Sequence, residues 1–85
     1  MRCTVYKSLK KTEAYLYVRE GVEFESLPAA LRAQFGRAEE VMKLELHEGR
    51  KLAREDVVTV MANLSVGGFH LQMPSPELAP LRPRQ

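Results

Sequence analysis

The chain contains a single cysteine, Cys3, in 85 residues. One thiol rules out an internal disulfide and any zinc site built from several cysteines, and it suits a reducing cytoplasm. No apolar run approaches the roughly 18 residues that a membrane-crossing helix needs, so no membrane partner is expected. The first residues, "MRCTVYK", carry charge without an apolar stretch, so neither a secretory nor a lipoprotein signal is expected there. A Gly-rich phosphate loop is missing as well: "VGGF" leads from a helix into a strand, the reverse of the order such a loop requires. There is no internal repeat. Charge of one sign is also lacking, since 13 Lys and Arg stand against 11 Asp and Glu, and a net +2 does not demand a nucleic-acid partner.

What is present belongs to one small soluble domain. Eighty-five residues hold one core, and 45% hydrophobic with 28% charged residues is the balance of a globular chain. "RCTVYK" (2–7) reads as a strand with Cys3 and Val5 opposite Thr4 and Tyr6. "AYLYVR" (14–19) alternates again, with Ala14, Leu16 and Val18 opposite Tyr15, Tyr17 and Arg19. Two alternating runs joined by the polar "SLKKTE" predict a β-hairpin, and the absence of Asn-Gly or Asp-Gly predicts a longer, lysine-bearing loop.

The period then changes. Phe24, Leu27, Leu31 and Phe35 recur at helical steps, with Pro28 at the start and Gly36 as a left-handed stop, which predicts a helix of about two turns. "EEVMKLELHEG" returns to alternation, with Met42, Leu44 and Leu46 facing one way and Val41, Lys43, Glu45 and His47 the other. "REDVVTVMANLSVGG" predicts a second helix. Glu55 and Asp56 sit in its acidic first turn, Val57, Val60, Met61 and Leu64 form its apolar side, and Gly67-Gly68 stop it. "FHLQM" is the last strand, with Phe69, Leu71 and Met73 inward and His70 and Gln72 outward, and Pro74 and Pro76 end it.

The order ββαβαβ predicts an α+β two-layer sandwich: a four-stranded, mainly antiparallel sheet with both helices on one face. Residues 1–75 form the domain, and the proline-rich 76–85 are expected to be a flexible tail. Pro80-x-x-Pro83 in that tail matches the spacing of polyproline ligands, but a short chain end more often carries no such role.

In order and spacing, "YKSLKKTEAYLYV", "LPAALRAQFG", "MKLEL", "KLAREDV" and "GGFHLQMP" resemble the bacterial YcgL domain family over residues of about 3 to 76. "YLYV", the set Pro28, Leu31, Phe35 and Gly36, and the "LQMP" ending carry most of the likeness. The resemblance implies a small cytoplasmic α/β domain without an established activity, and it carries over no catalytic or binding residues. Relatives tend to have a second aromatic where this chain has His70.

With the helices on one face, the parity places Thr4, Tyr6, Tyr15, Tyr17, Arg19, Lys43, Glu45, His47, His70 and Gln72 on the outer face. Aromatic rings there could stack bases and nearby cations could meet phosphates, although tyrosines also pair across strands for packing alone. Lys7, Lys10 and Lys11 with Arg50, Lys51 and Arg54 form a basic cluster only if the two segments meet in space. The candidate binding residues are therefore Tyr6, Tyr15, Tyr17, Arg19, Lys43, His70, Lys10, Lys11, Arg50 and Lys51.

Cys3 lies on the inward parity, away from both histidines, so a Cys-His nucleophile is not expected. The neighbouring acids Glu39-Glu40 and Glu55-Asp56 do not converge as an acid/base pair would. The reading is a non-catalytic cytoplasmic binding or adaptor module that engages protein or RNA through the outer sheet face, with no cofactor and no small-molecule ligand. The alternative is a small enzyme or metal protein using His47, His70 and Glu45, for which no short ligand spacing speaks.

Overall fold

The computed structural model describes residues 1–52 and 55–73. Its elements follow the expected order: β1 (Arg2–Ser8), β2 (Tyr15–Arg19), a single 3₁₀ turn (Phe24–Ser26), α1 (Ala29–Phe35), β3 (Ala38–Glu45), α2 (Val57–Gly67) and β4 (Phe69–Gln72). The strands form one antiparallel sheet in the order β3-β1-β2-β4, so the class is α+β. The expected tail, 76–85, lies outside the described residues, as do Arg54 and the Pro80-x-x-Pro83 segment.

The layering departs from the expectation. In the hairpin Val5 pairs with Tyr17 and Cys3 with Arg19, whereas Tyr6 pairs with Leu16 and Thr4 with Val18. Directly opposed residues project from the same face, so Tyr15 and Tyr17 share a face with Cys3 and Val5. That face packs on α2: Cys3, Val5, Tyr17 and Leu46 cluster with Val57, Val60 and Leu64. The other face packs on α1 and the turn before it: Ala14, Leu16 and Val18 cluster with Leu27 and Phe35, with Phe24 and Leu31 packed alongside. The helices thus lie on opposite faces, and there is no free outer face of the kind the parity suggested. Three successive buried residues in β2 (Leu16, Tyr17 and Val18) mark a strand covered on both sides.

Local chemistry explains the helix ends. The Asp56 carboxylate accepts hydrogen bonds from the Thr59 amide at 3.0 Å and the Thr59 hydroxyl at 2.9 Å, capping α2 for about 1 kcal/mol. Asp56 is therefore the cap itself rather than a residue of the first turn. Gly68 ends α2 in the left-handed region (φ 86°, ψ −5°) and its amide donates to the Leu64 carbonyl. Gly36 ends α1 at φ 78°, ψ −159°, a conformation nearly confined to glycine, and a Cβ there would meet the Lys10 Cβ at 2.8 Å.

The hairpin loop is tied to α1 by Ser8, a residue the sequence did not single out. Its buried hydroxyl donates to the Phe35 carbonyl at 2.6 Å and accepts from the Lys10 and Lys11 amides at 3.0 and 2.8 Å.

β3 and β4 are the sheet edges. β4 is only four residues long, and β3 carries Glu39, Glu40, Lys43 and Glu45 together with a break in register, devices that guard an edge against pairing with another chain.

Cys3 lies under α2, and burial pushes its thiol up from the ordinary cysteine range. A thiol-reactive chromophore at pH 8 is therefore expected to leave Cys3 unmodified in the folded protein and to label it fully in denaturant. Rapid labelling without denaturant would mean that the α2 layer does not cover it.

Candidate functional site

On the α2 face the helix leaves one end of the sheet uncovered. A trough of about 540 Å³ remains there, open to solvent and lined by Val5, Tyr15, Tyr17, Val41, Met42, Leu44 and Gln72 from the strands. The segment after β3 supplies Arg50, Lys51 and Leu52, and Glu13 of the hairpin loop closes the remaining side.

An irregularity in β3 shapes the floor. Val5 pairs with Met42 but the next residue, Tyr6, pairs with Glu40, so Val41 is an extra residue in the strand. This bulge breaks the alternation and puts both Val41 and Met42 on the trough side. They are 42% and 48% exposed, unusual for two adjacent large apolar side chains on one strand. The sequence does carry this signal: "EEVM" breaks the alternation that is strict from Met42 to His47.

A polar clamp holds the far end of the segment that walls the trough. His70 on β4 donates from Nε2 to Glu55 at 2.7 Å, and its Nδ1 accepts from the Asn63 amide at 2.8 Å. A carboxylate can only accept, which places the ring proton on Nε2. Tyr17 meets the His70 ring edge-on at 5.8 Å and its hydroxyl donates to Gln72 at 3.1 Å. His70 thus has both ring nitrogens engaged by side chains of the protein itself. Its role is to pin the start of α2 to the β4 edge. Glu55, Asn63 and Gln72 form this clamp without any spacing in the sequence that announces it.

The other candidate residues are dispersed. Tyr6 projects to the α1 face and tilts against Phe24 at 5.2 Å. Arg19 donates to the Leu64 and Ser65 carbonyls at 3.1 and 3.3 Å, closing the C-terminal end of α2. Lys43 pairs with Glu40 at 3.5 Å, and Lys7 with Glu39 at 3.6 Å. Lys10 packs beside Gly36 on the α1 side, and neither it nor Lys11 lines the trough, so the two basic segments do not merge there. Of the ten candidates, Tyr15, Tyr17, Arg50 and Lys51 line the trough together, and His70 meets Tyr17 beside it.

The metal set does not assemble. Glu45 is on β3 and His70 on β4, three strand spacings or about 14 Å apart across the sheet. Glu45 instead takes the Met1 amino group at 3.0 Å and Arg2 at 3.2 Å, which together hold its carboxyl below the usual range. His47 lies beyond the end of β3 and its Nδ1 accepts from the Gly49 amide. Among the described residues no group of three or more His, Cys, Asp or Glu side chains is placed to hold a metal ion.

The YcgL domain model matches residues 3–75. The chain belongs to the YcgL domain family. It is 48% identical over 75 residues to YcgL domain-containing proteins of Pseudomonas putida (strain W619) and Pseudomonas aeruginosa (strain PAO1), covering 88% of this chain and 77% of each relative. The corresponding protein of Pseudomonas fluorescens (strain Pf0-1) is 45% identical over the same length and shares. These names state a domain, not an activity. In this YcgL domain, no described helix is long and apolar enough to cross a membrane.

Proposed function

We propose that this YcgL domain is a non-catalytic cytoplasmic binding module that takes a segment of a partner protein into the α2-side trough. One observation carries the reading: the β3 bulge sets Val41 and Met42 side by side, half exposed, against half-buried Tyr15 on an otherwise well-covered sheet. Exposed apolar side chains clustered on a concave surface are the usual mark of an interaction site. The trough is open and shallow, which fits a chain segment better than an enclosed small molecule. Single-stranded RNA fits less well, because base stacking needs open rings. Tyr17 is buried with its hydroxyl bonded to Gln72, and Tyr6 is on the opposite face.

Photo-crosslinking in living cells tests this. A benzophenone amino acid at position 42 is expected to give discrete crosslinked protein bands. The same group at position 66 on the outer side of α2, where Val66 is 91% exposed, is expected to give none of them. Adding Met42→Asp to a probe at position 41 should cut the yield about tenfold, the scale of losing one buried methionine contact. Identical bands from positions 42 and 66, or adducts to nucleic acid alone, would overturn the reading.

A further inference from the structure

We infer that the segment taken by the trough is acidic as well as apolar: an extended peptide whose carboxylates flank a large aliphatic or aromatic side chain. This rests on the trough reading above and adds the partner's chemistry. Of the four strand cations, Arg2, Lys7 and Lys43 have a carboxylate within reach, on Glu45, Glu39 and Glu40, and Arg19 is held by the Leu64 and Ser65 carbonyls. Of the described cations that have no carboxylate partner, Arg50 and Lys51, side by side, are the two that line the trough. Arg50 is also partly buried, and its charge is felt by the Cys3 thiol.

A partly desolvated guanidinium without an anion has lost some hydration and gained no ion pair in return, so an incoming carboxylate is worth more there than on an open surface. The planar fork of arginine fits a carboxylate through two parallel hydrogen bonds, and the adjacent lysine adds a second, more mobile charge. The floor supplies the other half of the recognition, since Val5, Met42, Leu44 and Leu52 offer apolar contact immediately beside the cations. The lining runs from β3 through β1 and β2 to Gln72 on β4, about 14 Å, the reach of roughly four extended residues. The occupant therefore crosses the strands. It does not add to either guarded edge.

Selection of a random peptide display library against the full chain, followed by titration of the best synthetic peptide, tests this inference. The enriched sequences should pair Asp or Glu with a large apolar residue. The selected peptide should bind at least about tenfold more weakly to the Arg50→Glu/Lys51→Glu double variant, and more weakly as salt rises. Val66→Asp on the outer side of α2 should leave binding unchanged, and matching circular dichroism and melting curves establish that the variants fold. Enriched peptides that are neutral or basic, yet lose binding with Met42→Asp, would overturn the acidic inference and leave the trough reading standing. Peptides indifferent to both Met42→Asp and the charge reversal, or no enrichment at all, would overturn both. Equal competition by a mixed-sequence RNA oligomer would assign Arg50 and Lys51 to a polyanion and overturn the peptide inference.

Discussion

Replacing Tyr17 with alanine is expected to destabilise the domain by about 3–5 kcal/mol, the range for truncating a buried aromatic. A surface tyrosine of a strand would lose well under 1 kcal/mol. The ring is 7% exposed, packed with Cys3, Val5, Val60 and Leu64, and its hydroxyl satisfies the buried Gln72 amide oxygen. Truncation therefore opens a cavity and strands a polar atom at the same time. Against a total stability of roughly 4–13 kcal/mol for a chain of this size, that loss leaves the fold marginal. Tyr17→Phe keeps the ring and should cost only about 1 kcal/mol, while Tyr15→Ala, at the half-buried rim of the trough, should fall between the two. Urea unfolding of the three variants measures the series.

The same residue gives the alkaline side of the stability profile a shape. Burial pushes the Tyr17 phenol up, with the Glu55 charge adding to the effect, and burial likewise pushes up the Cys3 thiol. For a group whose folded pKa is raised, the unfolded chain gives up its proton first as pH rises, so unfolding becomes more favourable. The contribution is complete below the unfolded values, near 8.5 for cysteine and 10 for tyrosine, and is lost as pH climbs through the folded ones. Stability should hold to about pH 8 and then decline, and Tyr17→Phe should flatten the upper part of that decline.

The second large effect is on the opposite face. Phe35→Ala should cost about 3–5 kcal/mol, because Phe35 is 2% exposed and closes α1 onto Leu16 and Val18. Its carbonyl also accepts the Ser8 hydroxyl, so disturbing the end of α1 should loosen the hairpin loop as well. The smaller losses from Tyr17→Phe and Phe35→Leu should be nearly additive in the double variant, since the rings belong to different clusters separated by the sheet. A fold with both helices on one face would bring α1 and α2 into one cluster and give strong coupling instead.

Much of this fold was legible in the sequence. The stripe of Val57, Val60, Met61 and Leu64 packs as its helical spacing requires, whereas of Phe24, Leu27, Leu31 and Phe35 only the last two lie on α1; Phe24 and Leu27 reach the same cluster from the 3₁₀ turn and the extended residue after it. Four strands form on the four alternating runs, although β3 stops at Glu45, short of Leu46 and His47, and β4 stops at Gln72, short of Met73. The layering was not legible, because alternation separates a strand into two faces but does not say which faces of two strands coincide. That depends on register, which the conformation of the hairpin loop sets, and a shift of one residue exchanges the faces. Tyrosine deepens the ambiguity, since it has an apolar ring and a polar tip and can belong inside or outside. Grouping Tyr15 and Tyr17 with Tyr6 requires the aliphatic sides of β1 and β2 to match, whereas Val5 opposes Tyr17.

The site was legible in part. Arg50 and Lys51 stood out as cations, and Tyr15 and Tyr17 as aromatics, but nothing in the spacing joined them. Their meeting depends on the chain leaving β3 at one edge and reaching Glu55, bonded to His70, at the other. Strict alternation separates Val41 and Met42 onto opposite faces, whereas the bulge changes the parity and brings both to the trough.

The arrangement of helices on opposite faces, on which the trough depends, is tested most directly by nuclear Overhauser contacts of the Tyr17 ring. Contacts to the methyl groups of Val60 and Leu64, with none to Phe35, and separate contacts from the Leu16 methyls to the Phe35 ring, are the expected result. Contacts of both Leu16 and Val5 methyls to one and the same helix, with the Tyr17 ring free of either, would contradict it.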